Sequence, residues 1–135
     1  MEVGKAIYDI LTNNSPVNTI ITGAVYPSRF KITKNRPSLP YIVYQVVSDL
    51  PTIVKNNAST YDYVTVQITL VANNYEDIID LSGKVRTALD YVSGTFQGVV
   101  VDKIFFQNSN EIFNDTSGVS GIYQISHDYQ FNINR

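Results

Sequence analysis

From Tyr61 to Ala72 apolar and polar residues take turns: Val64, Val66, Ile68, Leu70 and Ala72 fall on one side, Tyr63, Thr65, Gln67 and Thr69 on the other. A two-residue period of this kind is the mark of a β-strand with one buried face, its other face turned to water or to a partner. Such a strand is not stable alone, because its apolar face needs both pairing neighbours and a cover. The rest of the chain must supply them. With 135 residues, it has the length for a single domain spanning 1–135 around one sizeable core.

The pairing neighbours are visible. Tyr41–Val47 is dense in β-branched and aromatic residues, Val99–Gln107 follows the same habit, and Ile122–Ile133 alternates again. Val25–Phe30 reads as a short strand that Pro27 confines to an edge or a bulge. The cover comes from two stretches of helical period. Val3, Ala6, Ile7, Ile10 and Leu11 form one stripe; Ile78, Leu81, Val85, Ala88, Leu89 and Val92 form the other, with Asn74 as N-cap and Gly94 as stop. Ser15-Pro16 opens a short helical turn through Val17, Ile20 and Ile21 that Gly23 closes. The order of elements predicts an α+β fold: an antiparallel sheet with two main helices packed on one face, and long hairpin loops at Asp49–Ser59 and Asn108–Gly121.

Composition narrows the function. Charged residues make up 16%, against about 25% in ordinary soluble domains, and a net charge of -2 does not suit a protein that works by neutralising phosphates. The absence of Cys excludes disulfides, thiolate metal sites and Cys nucleophiles. The start, Met-Glu-Val-Gly-Lys, lacks the pattern of a signal peptide, and the apolar stretches Tyr41–Val47 and Val99–Phe106 are far short of the roughly 20 residues that span a bilayer. The expectation is a soluble protein of a cytoplasm, with no membrane partner.

Site chemistry is sparse. His127 stands between Ser126 and Asp128, the letters of a hydrolase triad, but strand geometry sends it to the face opposite both neighbours and among Ile125, Tyr129 and Phe131. Glu76 and Asp80 sit one helical turn apart without a further ligand to complete a cation shell, so they read as a solvated helix start. The glycines form no phosphate-binding fingerprint, and the Asn-x-Ser/Thr triplets at Asn13, Asn57 and Asn114 read as turn chemistry. No catalytic residue, cofactor site or metal site is expected.

Two features rise above this background. Arg29, Lys31, Lys34 and Arg36 stand together without an acid among them, either as a solvated charge run or as a contact for an acidic partner surface. The two long polar loops read either as docking arms or as flexible connections, and Asp49–Ser59 carries Leu50, Ile53, Val54 and Lys55, apolar anchors beside an orienting charge.

The sequence Ile7 to Leu11, the Pro-started turn, Gly23 followed by Val25-Tyr26-Pro27, and Leu39-Pro40-Tyr41-Ile42-Val43-Tyr44 resemble the tail-completion, or tail-terminator, proteins of long-tailed bacteriophages. Tyr61–Ala72 leading into Tyr75–Tyr91, and the closing strand Tyr123–Ile133, are similar to the same family. The resemblance implies a structural virion protein of the tail, assembled in the host cytoplasm. Its subunits would form a six-fold ring at the head-proximal end of the tail tube, ending tube growth and offering the head a docking surface. Its partners would be other copies of itself, the tail tube protein and a head-completion or connector protein, with DNA passing through the ring unread. The resemblance places Arg29, Lys31, Lys34, Arg36, Leu50, Ile53, Val54 and Lys55 at contacts with the tube or neighbouring subunits. Independently, low charge, many Tyr on polar strand faces and missing site chemistry suit a protein that works through surfaces. Another head-to-tail connector ring, or a small-ligand domain with His127 and Tyr as polar handles in a pocket, fits the residues as well.

Overall fold

A computed structural model describes residues 3–27, 40–52, 60–114 and 122–135. In chain order the elements are helices α1 (Val3–Asn13) and α2 (Ser15–Ile21), strands β1 (Val25–Pro27), β2 (Tyr41–Pro51) and β3 (Tyr61–Ala72), helix α3 (Tyr75–Leu89), and strands β4 (Gly94–Phe96), β5 (Val99–Asn114) and β6 (Ile122–Asn134). The six strands form one sheet in the order β1-β2-β3-β6-β5-β4.

The sheet corrects the expected fold. In place of an antiparallel sheet carrying two main helices on one face, about half of the described residues are strand, in a sheet curled into a half-barrel, with three short helices. Three register shifts, at Val46/Ser48, Val101/Lys103 and Phe106/Asn108, supply the physical reason. Each inserts a residue on one strand, bending it and tightening its twist, which rolls a long sheet toward closure. Nor is the sheet wholly antiparallel, since β1 runs parallel to β2, with Val25 opposite Ile42. Parallel neighbours need a connection of about a dozen residues or more, which residues 28–40 provide. The expected loop from Asn108 is strand as far as Asn114, paired with β6 down to Ile122.

The alternation in β3 settles where the core lies. Val64, Val66, Ile68 and Leu70 point inward, opposite Phe131, Tyr129, His127 and Ile125 of β6. The helices close over this face with Ile7 and Leu11 of α1, Val17 and Ile21 of α2, and Ile78, Leu81, Val85 and Leu89 of α3, all buried in one cluster. At 11 residues, α1 is below the length at which an isolated helix holds in water, about 12–15 residues. Burial of each large aliphatic side chain is worth about 1.5–3 kcal/mol, so packing rather than propensity makes it a helix.

Side chains finish the ends. Asn14, one residue ahead of the Ser15-Pro16 pair that opens the helical turn, accepts a hydrogen bond from the Val17 amide, and Asn74 accepts one from the Glu76 amide. Gln97 and Gly98 both have positive φ, 52° and 80°, and make the two-residue turn joining β4 to β5. The chain leaving α3 lies along the free edge of β5. The Tyr91 amide donates to the Ile104 carbonyl, the Ile104 amide to the Val92 carbonyl, and the Phe106 amide to Oδ1 of Asp90.

Candidate assembly surface

The same alternation that buries one face of the sheet displays the other. Tyr63, Thr65, Gln67 and Thr69 of β3 stand beside Asn132, Gln130, Asp128 and Ser126 of β6. These side chains knit together: the Thr69 and Ser126 hydroxyls are 3.2 Å apart, Gln130 donates to Asn132 at 2.8 Å, and Gln107 of β5 donates to Gln130. The middle of this face is polar, and of the β3 and β6 residues just named only Asp128 is charged.

Toward the Pro51 end the face becomes apolar. Leu50 is 62% exposed and lies opposite Tyr63, itself 40% exposed. The Tyr63 ring meets Tyr61 edge-on at 5.6 Å. Tyr61 donates to Oδ2 of Asp102 at 2.6 Å, and this bond to a carboxylate, with some desolvation, pushes its pKa up to about 12. Tyr61 is thus held as a neutral hydroxyl. Val100, 43% exposed, extends the patch on β5. Aromatic rings with little conformational freedom and one polar tip are effective contact groups at interfaces.

Of the residues expected at contacts, Leu50 is placed on this surface, at the end of β2 rather than in a loop. Arg29, Lys31, Lys34, Arg36, Ile53, Val54 and Lys55 lie outside the described residues. Tyr63 stands on the outward face that the alternation in β3 assigns it, and Tyr61 and Val100, not singled out in the sequence, lie beside it.

His127 faces inward with Ile125, Tyr129 and Phe131, as strand geometry requires. Ser82 of α3 and Phe106 of β5 reach it from outside its strand, and Tyr129 from within it. Ser82 Oγ of α3 lies 2.8 Å from Nε2, the Tyr129 hydroxyl 2.9 Å from Nδ1, and the Phe106 ring packs edge-on at 5.3 Å. Burial, reinforced by the Arg86 guanidinium, lowers the His127 pKa to about 4, so the ring is neutral at neutral pH. Arg86 itself lies 3.9 Å above the Phe106 ring.

The Ser82–His127 spacing suits a nucleophile and its base, but the remaining parts oppose that role. The group on the far nitrogen is a tyrosine hydroxyl, whose own pKa burial raises further, and a nearby cation disfavours the imidazolium a base must become. The network is a satisfied polar insert in the core. The cleft at the Asp62 end of the sheet is lined by other residues, Val64 and Arg135 among them, and not by His127; the pocket with a histidine handle is not formed there. Asp80, weighed as half of a cation pair, makes an ion pair with Lys84 at 2.9 Å. Among the described residues no three His, Cys, Asp or Glu come together as a metal site, and no described helix is long and apolar enough to cross a membrane.

The family model of tail completion protein gp17 matches residues 5–131. The chain belongs to this tail-completion family. It is therefore a structural component of a phage virion, as its residue patterns in Ile7–Leu11 and Leu39–Tyr44 led us to expect. A solved chain from the virion of a native gene transfer agent particle is similar in fold to the tail-completion protein, with a TM-score of 0.70 at 12% identity over 96% of this chain and 92% of that one. No curated protein sequence matches it.

Proposed function

We propose that this tail-completion protein forms a closed ring, of six subunits, at the head-proximal end of the tail tube. There it ends tube polymerisation and presents the surface on which the head docks. Beyond family membership, the reading is carried by the outward sheet face, which is polar along its middle and apolar at Leu50, Tyr63 and Val100. A closed ring satisfies head-to-tail contacts that would otherwise propagate into a filament. Each subunit has two ring neighbours, and contacts of about 800 Å² with each would cover about a fifth of its 8140 Å² of accessible surface.

In this assembly Leu50, with Ile53, Val54 and Lys55, anchors each subunit to its neighbour or to the tube rim, and Arg29, Lys31, Lys34 and Arg36 meet an acidic surface. The partners are further copies of the chain, the tail tube protein and a head-completion or connector protein. The net charge of -2 suits a channel through which DNA slides unread, because it does not hold the phosphates. Assembly takes place in the host cytoplasm.

The test is light scattering across a concentration series, combined with electron microscopy of isolated tails. Ring-sized particles and a ring at the tube end are expected. A strictly monomeric protein at high concentration, together with tails lacking any ring, overturns the reading.

A further inference from the structure

At the Asp62 end of the sheet, on its inner side, a cleft of about 600 Å³ opens between β2, β3, the start of β5 and the end of β6. Its apolar walls include Val3, Val64, Val99 and Ile133, all buried. Its charged groups are Asp49, Asp62 and Arg135. Asp62 is only 5% exposed. Nε of Arg135 forms an ion pair with its Oδ2 at 2.9 Å, while Oδ1 is buried without a hydrogen-bond partner. Asp49 shares the cleft, and its carboxyl titrates above the usual range because of desolvation first, the negative charge of Asp62 second and a side-chain hydrogen bond with Asp62 third, against the Arg135 charge that lowers it. Two acids thus share one guanidinium, and whenever both are ionised the buried Oδ1 of Asp62 has no donor. Buried acceptors in that state are rare in folded proteins because they have given up water without replacement.

We propose that this cleft receives a basic side chain from residues 29–36 of an adjacent copy of the chain. The inference rests on the ring reading and assigns one of its contacts. Oδ1 of Asp62 calls for a charged donor, and the apolar walls suit the methylene stem of Lys or Arg, which packs against hydrocarbon while its head stays polar. A bare divalent cation fits less well, since it needs six or more oxygens and Arg135 already occupies Oδ2. Four of the ten Lys and Arg residues, Arg29, Lys31, Lys34 and Arg36, stand in a segment without an acid. Of the five described basic residues, Lys84 is paired with Asp80, Arg86 with Asp90 and Arg135 with Asp62 itself, while Lys5 and Lys103 stand singly in the sequence rather than in a cluster. An acidic cleft on one subunit and a basic segment on the next give a contact that repeats identically around a ring. Such charge pairs fix partner orientation more than they add affinity.

The experiment compares the full-length protein with Asp49→Asn, Asp62→Asn and a fourfold Arg29/Lys31/Lys34/Arg36→Gln variant. Subunit association is measured by analytical ultracentrifugation at low and high salt, with melting temperature as the control for folding. Asp49→Asn keeps the Asp62–Arg135 pair, so it reports on charge even if Asp62→Asn folds poorly. Each variant is expected to weaken association about tenfold or more and to flatten its salt dependence, with the monomer still folded. Wild-type rings that persist unchanged in the cleft variants overturn the inference and leave the ring reading standing. A fourfold variant that melts earlier yet associates normally also overturns it, because the segment then serves its own subunit. A wild-type protein that never associates removes the ring reading and the inference together.

Discussion

Lowering the pH from 7 should destabilise this protein through His127 before its surface carboxylates matter. In the unfolded chain a histidine titrates near 6.5, and in the folded chain burial holds His127 at about 4. Between those values the unfolded state binds the extra proton and the folded state does not, so stability rises with pH across that window and is lost as pH falls through it. The full separation is worth about 3 kcal/mol at roughly 1.4 kcal/mol per unit, and about 2 kcal/mol of it is already gone at pH 5. Against total stabilities of about 5–15 kcal/mol, the loss is easily measured. Other titrating groups are removed by comparison with His127→Gln, which keeps hydrogen-bonding capacity toward Ser82 and Tyr129. Urea unfolding of both proteins from pH 8 to 4.5 gives the difference profile. It should be flat above pH 7.5 and fall by about 2 kcal/mol at pH 5. A difference that stays constant over the whole range refutes the reasoning, because His127 then takes up its proton in the folded state as readily as in the unfolded one.

Other outcomes follow from the surface and the caps. Leu50→Ser, at an exposed position, should change unfolding free energy by no more than about 0.5 kcal/mol, and Tyr63→Ser, which also loses the edge-on contact with Tyr61, by about 0.5–1.5 kcal/mol, while both reduce association measured by light scattering. Replacing residues 53–59 by an Asn-Gly turn should leave the domain folded, since the β2–β3 ladder reaches Pro51–Asp62 and the Thr52 amide still meets the Tyr61 carbonyl; a shortened protein that completes tails normally would remove the docking role of that segment. Asn74→Ala takes the acceptor from the Glu76 amide and should cost about 1 kcal/mol in urea titration.

What could be read from sequence was whatever depends on near neighbours in the chain. The period of Val64 to Ala72 fixed which face is buried, the stripe from Ile78 to Leu89 placed α3 on it, and the orientation of His127 followed from strand geometry alone. The curl did not follow, because the bulges at Val46/Ser48 and Phe106/Asn108 arise from pairing between strands far apart in sequence. For the same reason β1 was not seen to run parallel to β2. The strand character of Asn108–Asn114 was hidden by residues of low β propensity, which pairing with β6 overrides. β4 had a usable signal that was passed over, the Gln97-Gly98 turn between Phe96 and Val99. So did Asp62, an acid standing at the head of the inward series Val64, Val66, Ile68. Its partner Arg135 lies across the sheet, and no local pattern links the two.

The way the chain closes off the β5 edge bears on how such a molecule survives before use. A strand margin with bare amides and carbonyls is a template on which a second copy can add, and then a third, without limit. Here the margin is taken up from inside, by β4 as far as Val101, by Tyr91 and Val92 at Ile104, and by the Asp90 carboxylate at Phe106. Along that length main-chain stacking of molecule upon molecule is blocked, and contact must be made through side chains, whose shapes and charges can tell a correct partner from a wrong one. At high concentration, free copies of the protein therefore do not seed a fibre through that margin.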